Sequence, residues 1–164
     1  MRCAISSPAR FGLLCLTFAG GIASAQTSAP ASTGTYVPQQ ELVSLLKAAV
    51  AKHDDPALAT IGVTDQYAIH EVHRGHGGPP AVHPDATELH FILEGSATFV
   101  TGGKIISPAG AGGPVIEGGM ARIVHKGDAI IVPPDTPHWY RHVDGALTYL
   151  EVRFATRPVA SPSK

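Results

Sequence analysis

The stretch HPDATELHFILEG, residues 83–95, reads as a turn followed by a strand, yet it places His83, Glu88 and His90 where a strand commonly buries apolar side chains. Residues two apart in a strand face the same side, so Glu88, His90 and Ile92 share one face and Leu89, Phe91 and Leu93 the other. Two readings follow: an exposed edge carrying polar groups, or the wall of a pocket whose outer, apolar face packs against something else.

The sequence on either side has the texture of many short strands. From Thr60 onward, β-branched and aromatic runs are broken by Gly and Pro: QYAIHEVHR (66–74), ELHFILEG (88–95), ATFVTGG (97–103), ARIVHKGD (121–128), AIIVPP (129–134) and ALTYLEVRF (146–154). Short strands at regular spacing with turn signals predict an all-β sandwich or barrel over residues 60–157, and nothing reads as the helical crossovers that a parallel sheet needs. The piece SPAGAGGPVIEGG (107–119) reads as a long loop. Upstream, Pro38 sits at a first helical position and Leu42, Leu45, Leu46, Ala49 and Val50 recur on one face, which predicts one short N-terminal helix over 38–55, ended by Asp54-Asp55-Pro56.

The first 25 residues differ from the rest. Arg2 and Arg10 give a positive start, Phe11 to Ile22 is an apolar run of 12, and Ala23-Ser24-Ala25 supplies small residues for cleavage, so residues 1–25 are expected to be a secretory signal peptide and the mature chain a secreted or periplasmic protein. The run is shorter than the roughly 20 residues of a membrane span, and no membrane association is expected after cleavage. Residues 26–37 read as a flexible leader. Both cysteines, Cys3 and Cys15, leave with the signal, which removes disulfides, thiol nucleophiles and thiolate metal sites from the mature chain. Ten Lys+Arg then stand against 13 Asp+Glu, with no basic run, so nucleic acid is not an expected partner. All nine histidines lie in the mature part.

Spacing organises some of them. Gly75, Ala81, His83, Glu88 and Gly95 follow one another at intervals of six, two, five and seven, and farther on Gly127, Pro133 and His138 at six and five. This order resembles the two motifs of the cupin family, G-x5-H-x-H-x3,4-E-x6-G and G-x5-P-x-G-x2-H-x3-N. Gly75, His83, Glu88, Gly95, Gly127, Pro133 and His138 fall on pattern. Ala81 replaces the first histidine, Asp135 stands at the usual glycine and His142 at the usual asparagine; the resemblance spans residues 67–154. It implies a single-domain, cupin-like β-barrel of the jelly-roll kind.

A small barrel has room inside for side chains or one small ligand, so polar groups there must be paired or must coordinate something. Two imidazoles and a carboxylate suit a divalent Fe, Mn, Ni or Zn ion, and two histidines with one acid and open positions is the pattern of non-haem Fe(II) sites. His83, Glu88 and His138 supply that trio. His90 is the nearest geometric substitute for the ligand missing at Ala81, and His142 is expected at the pocket mouth or behind a ligand. His83, beside a proline in a turn, also reads as a solvated loop residue, and His90 as a hydrogen-bonded pocket group. His70 and His73 fall on opposite strand faces and read, with His53, His76 and His125, as surface residues. Trp139 and Tyr140 are both expected to point away from His138. The apolar face of Leu89, Phe91 and Leu93 calls for a cover, and a homodimer is expected. Function divides between a metal-dependent enzyme acting on a small oxygen-bearing molecule, with dioxygenase, isomerase or lyase chemistry, and a non-catalytic small-molecule-binding or sensor barrel with a degenerate or empty metal site.

Overall fold

A computed structural model describes residues 33–110 and 112–156; the expected signal segment 1–25 and most of the expected leader 26–37 lie outside the described residues. Helix α1 spans Gln39–Val50, followed by eight strands: β1 Ala57–Val63, β2 Tyr67–Arg74, β3 Ala86–Thr101, β4 Lys104–Ile106, β5 Val115–Glu117, β6 Met120–His125, β7 Ala129–Val132 and β8 His138–Ala155. No described helix is long and apolar enough to cross a membrane.

The helix is shorter at both ends than the sequence suggests. Pro38 is its N-cap, its carbonyl accepting from the amides of Glu41 and Leu42, and His53 turns into the left-handed region at φ 60, which no helix ladder can follow. Ala49, with Leu45 and Leu46 half-buried beside it, packs on Ala57 and Ala59 of β1. Strand β1 begins before Thr60, and β5 arises inside the expected loop, where Val115–Glu117 pairs antiparallel with Lys104–Ile106.

The main sheet runs β1-β2-β8-β3-β6, and β7 pairs with the first half of β3. Two long strands dominate it: β3, 16 residues, and β8, 18 residues, pair antiparallel from Ala86↔Ala155 to Thr101↔His138. Runs that the sequence shows as separate strands are therefore continuous. The register shifts at Ile92/Glu94, Gly95/Ser96 and Thr98/Phe99. The first, which skips Leu93, changes the parity of the inward set on β3, and the last, which skips Arg141, changes it on β8. Before the bend, even-numbered Glu88, His90 and Ile92 are buried; after it, odd-numbered Ala97 and Phe99 are. Gly95 makes the bend possible, because its φ is +85 and a Cβ there would lie 1.9 Å from the carbonyl oxygen of Ala146.

The core between these strands holds Val72, Ile92, Phe99, Val124, Val132, Tyr140, Val143, Leu147 and Tyr149. Its continuation along β3 and β8 is polar: Glu88, His90, His138 and Glu151 are buried as well. That polar end is where the candidate site lies.

Candidate metal centre

Each site side chain owes its direction to strand register. Glu88↔Arg153 and His90↔Glu151 are cross-strand partners on β3 and β8, so all four share the inward face. His138 opens β8 and faces them. Ala81 pairs with His138 as an isolated antiparallel bridge, the two residues exchanging both backbone hydrogen bonds at 2.9 Å. This anchors the loop that carries His83.

Glu88, 1% exposed, is the hub. Its Oε1 lies 3.3 Å from His83 Nε2, and its Oε2 lies 3.2 Å from both His138 Nε2 and His90 Nε2. One donor atom from each of His83, Glu88 and His138 falls within 4.8 Å of the others; Glu88, His90 and Glu151 form a second such group. Neighbouring donors around an ion with bonds of about 2.1 Å lie roughly 3.0–3.5 Å apart, and the His83–Glu88 and Glu88–His138 contacts have that spacing.

Protonation makes the fit sharper. His138 donates its Nδ1–H to the Thr136 carbonyl at 3.1 Å, so the neutral ring has a bare lone pair at Nε2. Burial is the main influence holding its pKa below the ordinary 6.5; Thr136 and Glu88 oppose it, while His90 and His83 add to it. At Glu88, burial is again the largest influence and pushes the pKa up, but the hydrogen bond from His90 and the charges of His138, His90 and Arg153 together outweigh it, leaving the carboxyl below the ordinary 4.5. An ionised oxygen and an imidazole lone pair thus face each other at 3.2 Å with no proton between them. Two buried acceptors at that distance repel unless a cation lies between them, so the donor set fits a divalent ion.

His90 is differently committed. Its Nδ1 is 3.0 Å from the Tyr140 hydroxyl, and its Nε2 faces Glu88 at 3.2 Å and Glu151 Oε2 at 3.7 Å. Burial first, and then the neighbouring Tyr149, raises the Tyr140 phenol well above its ordinary 10, so it keeps its proton and donates to Nδ1; Nε2–H then donates to Glu88. His90 stacks on Tyr140 with ring centroids 5.7 Å apart and planes at 12°. Its donor atoms fall in the group with Glu88 and Glu151 and not in the one with His83 and His138.

Arg153 Nε lies 2.9 Å from Glu88 Oε1 and 3.0 Å from Glu151 Oε1, yet its N–H is aligned with neither, and all three atoms are buried without a hydrogen bond. The pairing is coulombic, and lone pairs on both carboxylates remain unfilled.

The sequence model of the cupin domain matches residues 68–153, more than half of the chain. The chain belongs to the cupin family. No curated protein sequence matches it. Among solved structures it resembles Fe(II) HppE, at 16% identity and a TM-score of 0.50 over 62% of this chain and 52% of that one. It also resembles the DMSP lyase DddQ from Ruegeria pomeroyi DSS-3, at 26% and 0.48 over 66% and 51%, and the Schizosaccharomyces pombe Cnp3 cupin domain, at 13% and 0.48 over 60% and 64%. The chain spans about half the length of the first two. These likenesses concern the barrel.

Other histidines of this cupin lie elsewhere. His142 is exposed and lines a shallow depression with Ser96, Thr98 and Asp144, because the shift at Thr98/Phe99 turns Val143 inward in its place. It does not line the cavity of His83, His90 and His138. His70 meets Thr60 Oγ1 at 3.2 Å, His73 meets Thr148 Oγ1 at 3.0 Å, and His76 pairs with Asp55. Neither aromatic is turned away from the site: Trp139 lines the same cavity as His138, its indole N–H donating to the Gly78 carbonyl, and Tyr140, two residues after His138, shares that residue's face and is 4% exposed. Alternation alone would have placed it there. The same alternation along ALTYLEVRF puts Leu147, Tyr149, Glu151 and Arg153 on one face, a signal of a polar wall that was available in the sequence.

Proposed function

We propose that the mature chain is a metal-dependent cupin enzyme of the periplasm or extracellular space, in which His83 Nε2, a Glu88 oxygen and His138 Nε2 hold one divalent Fe, Mn, Ni or Zn ion. The contact between the bare His138 nitrogen and the Glu88 oxygen carries this reading. The ion, when bound, supplies Lewis acidity or, as iron, oxygen activation to a small oxygen-bearing substrate, within dioxygenase, isomerase or lyase chemistry.

The protein's own groups prepare that site. Thr136 fixes the His138 tautomer through Nδ1. Arg153 balances the Glu88 charge at Oε1. Tyr140 and His90 form a relay with protons at the phenol and at Nε2, leading from the aromatic core to Glu88 and Glu151. Ala81, in place of the family's histidine, brings no donor atom to the cavity, so a bound ion would be left with room for a substrate among Ala81, Trp139 and Pro79, which line it. Exposed Phe91, Ile123 and Ile131 on the outer face support a homodimer.

Metal analysis of tag-free protein tests the proposal. One equivalent of a divalent transition metal is expected, lost in His138→Ala and retained in His90→Ala. Metal-free protein whose melting temperature does not respond to added Fe(II), Mn(II), Ni(II) or Zn(II) would refute it.

A further inference from the structure

The cavity beside the metal centre contains a second cation with a different status. Arg153 sits between two carboxylates, whereas Arg74, the last residue of β2, has no carboxylate within ion-pairing distance among the described residues. Its Nε donates to the Tyr149 hydroxyl at 3.1 Å, and its guanidinium carbon stands 5.2 Å from the Tyr140 ring centroid and 5.9 Å from that of Tyr149. Two tyrosines thus hold the planar group at the cavity wall by a hydrogen bond and by cation–π attraction. Gly78 makes room for it, since a Cβ there would lie 2.9 Å from the Arg74 Nη1. With Nε occupied, the four terminal N–H groups have no acidic partner, and a parallel pair of them matches the two oxygens of a carboxylate.

The charges in this cavity point the same way. Arg74 and Arg153 balance Glu88 and Glu151, so a divalent ion at the centre leaves a net charge of about +2 for the ligand to offset. The cavity, about 60 Å³, holds a head group, roughly the volume of two waters. Two of its walls, Pro79 and Trp139, also line a groove of about 420 Å³ bounded by Gly77 and Gly112–Val115, where the body of a larger ligand fits.

We infer that Arg74 is the anchor for the substrate's carboxylate, and that this cupin acts on small carboxylic acids held between Arg74 and the metal centre. The inference deepens the reading of a metal-dependent enzyme and rests on it for the second anchor point. Trp139, the only tryptophan, lies in the cavity wall and reports binding by its fluorescence.

The mature chain, in Zn(II)-loaded and metal-stripped forms, is titrated with acetate, oxalate and pyruvate, with acetamide and inorganic phosphate as comparisons. Saturable binding of the carboxylates is expected in both forms, tighter with metal, and weaker by roughly 10- to 100-fold in Arg74→Gln at unchanged zinc stoichiometry. Arg74→Lys keeps a charge near the tyrosines but lacks the planar fork; its expected affinity is intermediate, and it carries the test if the glutamine variant does not fold. Equal dissociation constants in wild type and variants, acetamide binding as well as acetate, phosphate binding better than any carboxylate, or no carboxylate binding at all would each overturn the inference. Arg74-dependent binding in a protein that takes up no zinc would refute the metal centre and leave the anchor standing; zinc uptake with Arg74-indifferent binding would do the reverse.

Discussion

Glu88→Gln separates a metal centre from a structural ion-pair cluster. In the metal-free protein the substitution removes the charge that Arg153 faces at 2.9 Å, but Arg153 is 36% exposed and keeps Glu151 at 3.0 Å, so this loss costs about 1 kcal/mol. The amide gives something back. One of its N–H groups can donate to the bare His138 Nε2, and the other to His90 once that ring's proton moves to Nδ1, where the Tyr140 oxygen accepts it. Each such bond contributes about 1 kcal/mol, so the metal-free variant should stay within roughly 1–2 kcal/mol of metal-free wild type. With metal the two diverge. At 100 times its dissociation constant an ion stabilises wild type by about 2.7 kcal/mol, which for a domain of this size is a rise of roughly 8–13 °C in melting temperature. The variant, having lost the anionic ligand, should show almost none of it. Differential scanning fluorimetry of stripped and Zn(II)- or Mn(II)-loaded proteins reads both quantities. A variant that keeps the metal-induced rise refutes Glu88 as a ligand. A stripped variant destabilised by 3–5 kcal/mol, the loss seen when a buried ion pair loses one member, would mean the cluster is structural and that the lone-pair contact is not its governing feature.

Acidification should weaken both folding and metal retention in two stages. His138 and Glu88 have folded pKa values below their ordinary 6.5 and 4.5, so the unfolded chain binds more protons in each window and stability falls as pH drops, first below about 6.5 and again below about 4.5; urea midpoints and metal release across pH 7 to 3 check this. Ala81→His sets an imidazole beside His138 on the same face, since the two residues are direct backbone partners, and should tighten metal binding on the order of tenfold, or 1.4 kcal/mol, in chelator competition while filling the room left for a substrate. Ile92→Ala, at a residue 0% exposed in the core, should cost about 2–5 kcal/mol in urea denaturation and leave the metal stoichiometry at one.

The parts of the site that were legible in the sequence are those set by spacing along one strand or turn. His83, Glu88 and His138 were picked out by the resemblance of their spacing to the two cupin motifs, and the shared face of Glu88 and His90 follows from a period of two. What failed was whatever depends on which strand lies beside which. Alternation puts Glu151 and Arg153 on one face, but that they meet Glu88 and His90, and that Arg74 joins them, depends on the β8–β3 and β2–β8 registers, which no local pattern fixes. The role of His90 turned on a hydroxyl 50 positions away, on Tyr140. His142 was misplaced because the shift at Thr98/Phe99 inserts a change of face that no count along β8 anticipates. In the fold, β1, β4 and β5 escaped notice for a simpler reason: Ala-, Gly- and Pro-rich surroundings mask segments that pair only because a partner strand is presented to them.

The bend at Gly95 sets limits on how this chain can change in length. Because β3 presents even positions inward before the bend and odd ones after it, removing one residue between Glu88 and Gly95 would rotate the acid-bearing half outward while leaving the Phe99 half in place, and removing one between Gly95 and Phe99 would do the opposite. Deleting two residues preserves facing but drags the ligands along the sheet, away from His138. The β4–β5 hairpin, whose Gly-rich tip crosses no such boundary, is where variants of different length should be tolerated.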